Sequence, residues 1–266
     1  MFDYHIHSNF SSDSNMSMED AVKKAIELNL DEIAFTDHMD LLYPSVSYPV
    51  WDINYEDYMN EFYSIKEKYS NKIKIKLGSE VGLQPHSIEK SLEILNSYSF
   101  DFVIASTHVV DFQDLADGVF YQEKAKQQAY IRYFEETLNL IKSFDKFCVY
   151  GHLDIVKRYG DYENKDLDKE EYWDLIDEIL KLLILKGKGI EVNTSGFRYG
   201  LGMPHPEYKI IKRFYELGGE IITLGSDAHS TEYIAYMFSY TVDMLKSIGF
   251  KYLTKFENLE PIFVKI

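Results

Sequence analysis

Two histidines one residue apart, His5 and His7, begin the series of side chains in this chain that could do chemistry. Alternate residues of a strand share a face, so such a pair can hold one cation through two imidazole nitrogens. Further candidates recur along the chain: Asp13, Asp37-His38, Glu80, His108, His152, Asp227 and His229. Any one of them alone reads more simply as a turn or cap residue. Together they bring six of the eight histidines and at least three carboxylates into equivalent positions. Mixed imidazole and carboxylate donors suit Zn, Mn or Fe and do not choose between them.

The elements that must position these residues alternate along the chain. Short apolar runs predict strands at 2–6, 32–36, 73–77, 102–106, 147–150, 189–193 and 220–224. Helical spacing fills the intervals, at 17–28, 55–69, 88–96, 123–143, 168–185 and 206–217, and again up to about Ile248. Ser17 is the expected N-cap of the first helix, with Asp20 in its first turn. The segment 252–264 has no clear period. About seven βα units imply an α/β fold with a parallel sheet, which at this number closes better as a barrel than it lies open. Each candidate residue then falls at the C-terminal end of a strand, the face on which such barrels carry their chemistry. No glycine-rich phosphate loop follows any strand, which argues against a dinucleotide-binding fold.

Composition bounds the rest. A chain of 266 residues fits one barrel domain over 1–266 and needs no disulfide staple. Its one cysteine, Cys148, lies in an apolar run and reads as a buried thiol. The N-terminus lacks the basic and apolar regions of a signal peptide, and no apolar run would span a bilayer, so a soluble cytoplasmic protein is expected. A formal charge of −16 opposes binding to nucleic acid. Part of that charge can be carboxylate committed to cations.

The motifs His5-Ile6-His7-Ser8, Thr36-Asp37-His38, Gly78-Ser79-Glu80, Ser106-Thr107-His108, Gly151-His152-Leu153-Asp154 and Ser226-Asp227-Ala228-His229 resemble those of the PHP (polymerase and histidinol phosphatase) family, in the family's order. The resemblance implies a distorted (β/α)7 TIM-like barrel with two or three divalent metal ions at the C-terminal rim of its strands. It implies one ion held by His5, His7, Glu80 and Asp227. A second would be held by His108 and His152, with Glu80 shared. A third would be held by Asp13, His38 and His229; Asp13 stands where family members often carry His. Within the family the chain is most similar to its stand-alone histidinol-phosphate phosphatases, through the segments 151–158 and 191–198.

The implied activity is hydrolysis of a small phosphomonoester, L-histidinol phosphate, in histidine biosynthesis. Water activated by the ions would attack phosphorus, so no Ser, Cys or Asp nucleophile is required. Glu80, Asp227 and His229 are expected to bear most directly on catalysis. Arg158, Arg198 and Ser195 are expected to bind the phosphate, since Arg forks onto phosphate oxygens. His205 and His86 are candidates for contact with the leaving group or substrate, and Asp111, Asp114 and Asp117 for a cationic substrate. Other readings are a PHP-type phosphoesterase acting on nucleotides or sugar phosphates, a metal-dependent amidohydrolase, and a non-catalytic metal protein. No membrane partner is expected, and the oligomeric state stays open.

Overall fold

In the computed structural model, which describes residues 1–44 and 53–266, seven parallel strands surround one core. They are β1 (Phe2–Ile6), β2 (Glu32–Phe35), β3 (Lys74–Gly82), β4 (Phe102–Ser106), β5 (Val149–Tyr150), β6 (Gly189–Asn193) and β7 (Ile222–Gly225). Each pairs with the next in sequence. The first and last strands approach at their C-terminal ends, where His7 N–H donates to the carbonyl of Ala228 at 2.9 Å and Ala228 N–H to that of His5 at 3.3 Å. This single bridge makes the sheet a nearly closed barrel. Each residue of β1, β2, β4, β6 and β7 is buried, as a parallel sheet covered on both faces requires.

Among the described residues, seven helices of nine residues or more clothe the strands: α1 (Met18–Glu27), α2 (Tyr55–Tyr69), α3 (Ile88–Ser97), α4 (Lys126–Ser143), α5 (Glu170–Leu185), α6 (Tyr208–Glu216) and α7 (Phe238–Ile248). Ser17 caps α1, its Oγ accepting the N–H of Asp20 at 3.1 Å. Such a cap is worth about 1 kcal/mol. The α5 residues Ile176, Ile179, Leu180 and Leu183 make its buried stripe. Among the described residues no helix is long and apolar enough to cross a membrane.

Several boundaries depart from expectation, each for a local reason. Strand β3 runs on to Gly82 instead of stopping at Leu77, because the short strand His38–Met39 adds to it at Glu80 and Val81. Glu80 therefore sits inside a strand and not beyond its end. Helix α4 starts at Lys126, three residues late: Glu123 has φ 58°, and Gln128 reaches back to accept the N–H of Ala125 at 3.0 Å. Helix α6 starts after Glu207, whose N–H is held by Asp154 Oδ2 at 2.9 Å. The unassigned C-terminal segment is a hairpin, β8 (Tyr252–Glu257) and β9 (Glu260–Lys265). It closes the barrel end opposite the site: Phe256 packs on Phe102 at 5.2 Å, and its N–H donates to the Tyr4 hydroxyl at 3.1 Å.

Candidate metal centre

Strand ends bring the expected ligands together. From β1, the Nε2 atoms of His5 and His7 lie 2.9 Å apart and both face Glu80 Oε2, at 3.2 and 3.5 Å. Asp227, after β7, places Oδ1 3.8 Å from the first and 3.5 Å from the second. On the other side of Glu80, Oε1 lies 2.7 Å from His152 Nε2 and 3.2 Å from His108 Nε2. Asp13 Oδ2 lies 2.9 Å from His229 Nε2 and 3.7 Å from His38 Nε2. The rings of His38 and His229 flank that of His7, with centroids 4.3 and 4.1 Å away. Glu80 is thus the hub, facing histidines of all three expected ligand sets, including His38 Nδ1 at 3.1 Å.

The donor set fits divalent cations on the evidence of its outer nitrogens. A ligating imidazole normally donates its other N–H to an oxygen, which fixes the tautomer. Here His5 Nδ1 lies 2.5 Å from Glu191 Oε1, His108 Nδ1 2.8 Å from Asp40 Oδ1, and His229 Nδ1 3.0 Å from the Asp227 carbonyl. His7 Nδ1 lies 3.1 Å from Ser11 Oγ. Each Nε2 is then left as a lone-pair donor toward its neighbours. Two neutral imidazoles whose outer nitrogens carry the proton cannot hydrogen-bond through Nε2 atoms 2.9 Å apart; a proton or a cation shared between them satisfies both.

Space and backbone are arranged to suit. A Cβ on Gly225 would come within 2.1 Å of Glu191 Oε1, so only glycine lets that carboxylate reach His5. Asp227 and His152 have φ of 55° and 23°, unfavourable for residues with a side chain. Strain of this kind persists where the surroundings impose it, and it collects at functional sites.

The electrostatics follow from so many carboxylates buried together. Burial opposes charge on His5, yet Glu191, Glu80 and Asp227 raise it well above its ordinary value. Burial likewise opposes charge on His108, which Asp40 and Glu80 push up to about 10. His7 goes the other way, down to about 3, first through burial and then through the neighbouring imidazoles of His229 and His38. Glu80 and Asp227 are held far below the usual carboxylate range: burial opposes this, and the facing histidines outweigh it. Divalent cations answer the same negative charge that these protons answer.

A cavity of about 360 Å³ opens over the cluster. Its wall includes Asp40, Tyr43, Asp114, Arg158, Tyr159 and Tyr199. Arg158 lies with its guanidinium 4.2 Å over the Tyr199 ring and donates to Ser195 Oγ. Ser195 is buried behind it and donates to Asn193 Oδ1 at 2.5 Å. Arg198 does not line the cavity; it donates to the carbonyls of Ser226, at 2.7 Å, and Asp227. His205 is fully buried beneath the rim, with Nδ1 2.5 Å from Asp154 Oδ1. His86 lies elsewhere, exposed and stacked on Phe112 at 4.9 Å, beside a second cavity. Of the three acids considered for a cationic substrate, Asp114 alone lines the metal-site cavity. Asp111 pairs with Arg132 at 2.7 Å, and Asp117 accepts the N–H of Val119 at 2.8 Å.

Sequence reasoning assigns no role to Glu191 or Asp40, which hold the outer nitrogens of His5 and His108. The available signal was a carboxylate inside an apolar strand, Gly189-Ile190-Glu191-Val192-Asn193, and another two residues after a candidate ligand. A buried carboxylate calls for a partner.

The profile of the PHP domain matches residues 3–195. A histidinol-phosphatase of Lactococcus lactis subsp. lactis is 34% identical over 262 residues, covering 97% of this chain and 95% of its own length. A relative from Clostridium acetobutylicum is 32% identical, covering 99% and 96%. The crystal structure of the L. lactis histidinol phosphate phosphatase, complexed with zinc, L-histidinol and phosphate, matches with a TM-score of 0.88 at 33% identity, covering 98% of both chains. A solved structure from Listeria monocytogenes shares the fold, with a TM-score of 0.79 at 24% identity over 90% of this chain and 99% of its own.

Proposed function

The chain belongs to the PHP domain family, and from this we infer that it is a histidinol-phosphatase, a metal-dependent phosphoric monoester hydrolase that converts L-histidinol phosphate to L-histidinol and phosphate in histidine biosynthesis. The observation that carries the reading is the match over nearly all of both chains to a phosphatase whose crystal structure contains zinc, L-histidinol and phosphate. The family match ends at residue 195, yet Asp227 and His229 join the same cluster. We therefore treat 1–266 as one PHP-type domain. The cytoplasm is its place of work on this reading.

The residues sort into two or three ion sites. His5, His7, Glu80 and Asp227 would hold one ion; His108 and His152, with Glu80 shared, a second; Asp13, His38 and His229 a third. Zn, Mn and Fe all suit these donors. Bound there, divalent ions would polarise phosphoryl oxygens and activate water at neutral pH.

The protein's own side chains do the rest. Glu80 and Asp227 set the spacing of the ligand sets, and His229 with Asp13 extends the cluster toward the cavity mouth. Arg158, pinned by Tyr199 and Ser195, presents its guanidinium to a phosphate, which it can engage through two parallel bonds. Arg198 supports the phosphate site by holding the Ser226–Asp227 backbone in place. His205, buried and paired with Asp154, does not line the cavity. Asp114 gives a cationic substrate a counter-charge within the same cavity.

Elemental analysis of the purified protein, joined to phosphate release from a panel of phosphomonoesters and a dinucleotide, tests the function. L-Histidinol phosphate should be cleaved fastest. Faster cleavage of the diester, or protein without transition metal that turns over unchanged, would overturn it.

A further inference from the structure

Asp40 lies just beyond the short strand His38–Met39 and is buried. Its two carboxylate oxygens face two different histidines: Oδ1 is hydrogen-bonded to His108 Nδ1 at 2.8 Å, and Oδ2 lies at ion-pair distance, 3.0 Å, from His38 Nδ1, which Glu80 Oε2 also faces at 3.1 Å. These belong to different ligand sets, His108 with His152 and Glu80, His38 with Asp13 and His229. The carboxylate occupies space that only glycine leaves open. A Cβ on Gly82 would fall 1.7 Å from Asp40 Oδ1 and 2.9 Å from His108 Nδ1.

We propose that Asp40 is a positioning residue that couples two of the ion sites, because one carboxylate orients a histidine of each. The proposal rests on the metal-dependent reading above. An ionised carboxylate accepts at both oxygens, so it can receive an N–H from both imidazoles together. With one proton on Nδ1, each imidazole offers its Nε2 lone pair to a cation once any second proton has left. Filling one set fixes Asp40 and with it the histidine of the other set, so the two ions bind as a cooperative pair. The ion that His5, His7, Glu80 and Asp227 would hold has its own orienting carboxylate, Glu191, on His5, so a change at Asp40 leaves its imidazoles in place.

An amide in place of the carboxylate accepts at one end and donates at the other. In Asp40→Asn one imidazole must turn its proton toward Nε2 and cease to be a good donor. Gly82→Ala is an independent variant that leaves the charge of Asp40 intact but displaces it.

The experiment is calorimetric titration of chelator-stripped protein with Zn²⁺ alone, with bound metal counted by elemental analysis. Far-ultraviolet circular dichroism of the stripped variants checks the fold. In both variants two ions should weaken together by about 10- to 100-fold, the usual effect of losing an orienting partner, and the remaining ion should keep its affinity. Unchanged binding in both variants would overturn the proposal, as would equal weakening of all ions or loss of one ion without the other. If Asp40→Asn fails to fold, Gly82→Ala decides alone by the same outcomes. Wild-type protein that binds no zinc would sink the metal reading itself, a distinct result.

Discussion

His5 Nδ1 stands 2.5 Å from Glu191 Oε1 in the middle of the barrel, both side chains essentially inaccessible to solvent. The contact determines which nitrogen of His5 can ligate. Glu191→Gln offers an N–H to the same atom, so it should turn the ring's lone pair away from the ion site. Affinity for the ion held by His5 and His7 should fall about 10- to 100-fold, read by competition with a chromogenic chelator. Unaltered affinity would remove Glu191 from the centre.

Glu80 faces histidines of every ligand set, so it tolerates substitution least. Glu80→Gln should lower kcat by at least about 100-fold, more than a change beside a single ligand, while circular dichroism stays native. Full activity would refute its shared role.

Metal should also stabilise the fold. A chelator should lower Tm and added ion should restore it. At a free ion concentration 100 times Kd, one site contributes about 2.7 kcal/mol, or about 5–10 °C for a chain of this size. A melting curve indifferent to chelator would contradict the design of the site.

Ion uptake should release protons. In protein without ions, burial resists charge on His108, but Asp40 and Glu80 lift it to about 10, and Glu191, Glu80 and Asp227 lift His5 as well. Both are then protonated at pH 7, and a cation must displace those protons. Zinc added to weakly buffered stripped protein should acidify the solution, and affinity should rise as pH rises toward about 10. A pH-independent affinity would show that His108 carries no proton to lose.

Arg158 is held by stacking on Tyr199 and by Ser195, a geometry that lysine cannot copy. Arg158→Lys and Arg158→Ala should both reduce kcat/KM, with loss of a charge-assisted bond worth about 1.5–3 kcal/mol, or about 10- to 100-fold. Steady-state kinetics on L-histidinol phosphate decide it, and a lysine variant at wild-type efficiency would mean that the fork makes no phosphate contact.

Much of this site is legible in the sequence because strand ends of a parallel barrel share a rim. Reading His5, Glu80, His108, His152 and Asp227 as strand-end residues places them together without any knowledge of distance. The supporting carboxylates escape that logic. Glu191 lies within an apolar strand and points into the barrel, where its partner is set by another strand 186 residues away in sequence. The expected end of β3 at residue 77 falls short for a related reason: beyond it Ser79 Oγ donates to the Asp37 carbonyl at 3.3 Å and Glu80 finds histidines. Interior polar partners let the strand continue. The two arginines show the opposite limit, since similar sequence settings send Arg158 to the cavity and Arg198 to backbone carbonyls.

The bridge between Ile6 and Ala228 has a temporal consequence. It joins the first strand to residues more than 200 positions later, and Asp227 and His229 flank it. Contacts so distant in sequence form late, after most of the chain has been committed. A ribosome-bound chain that has not yet delivered β7 carries His5, His7 and Glu80 but lacks the carboxylate that completes their set. A late strand therefore gates the first, and full metallation waits until β7 has closed the barrel.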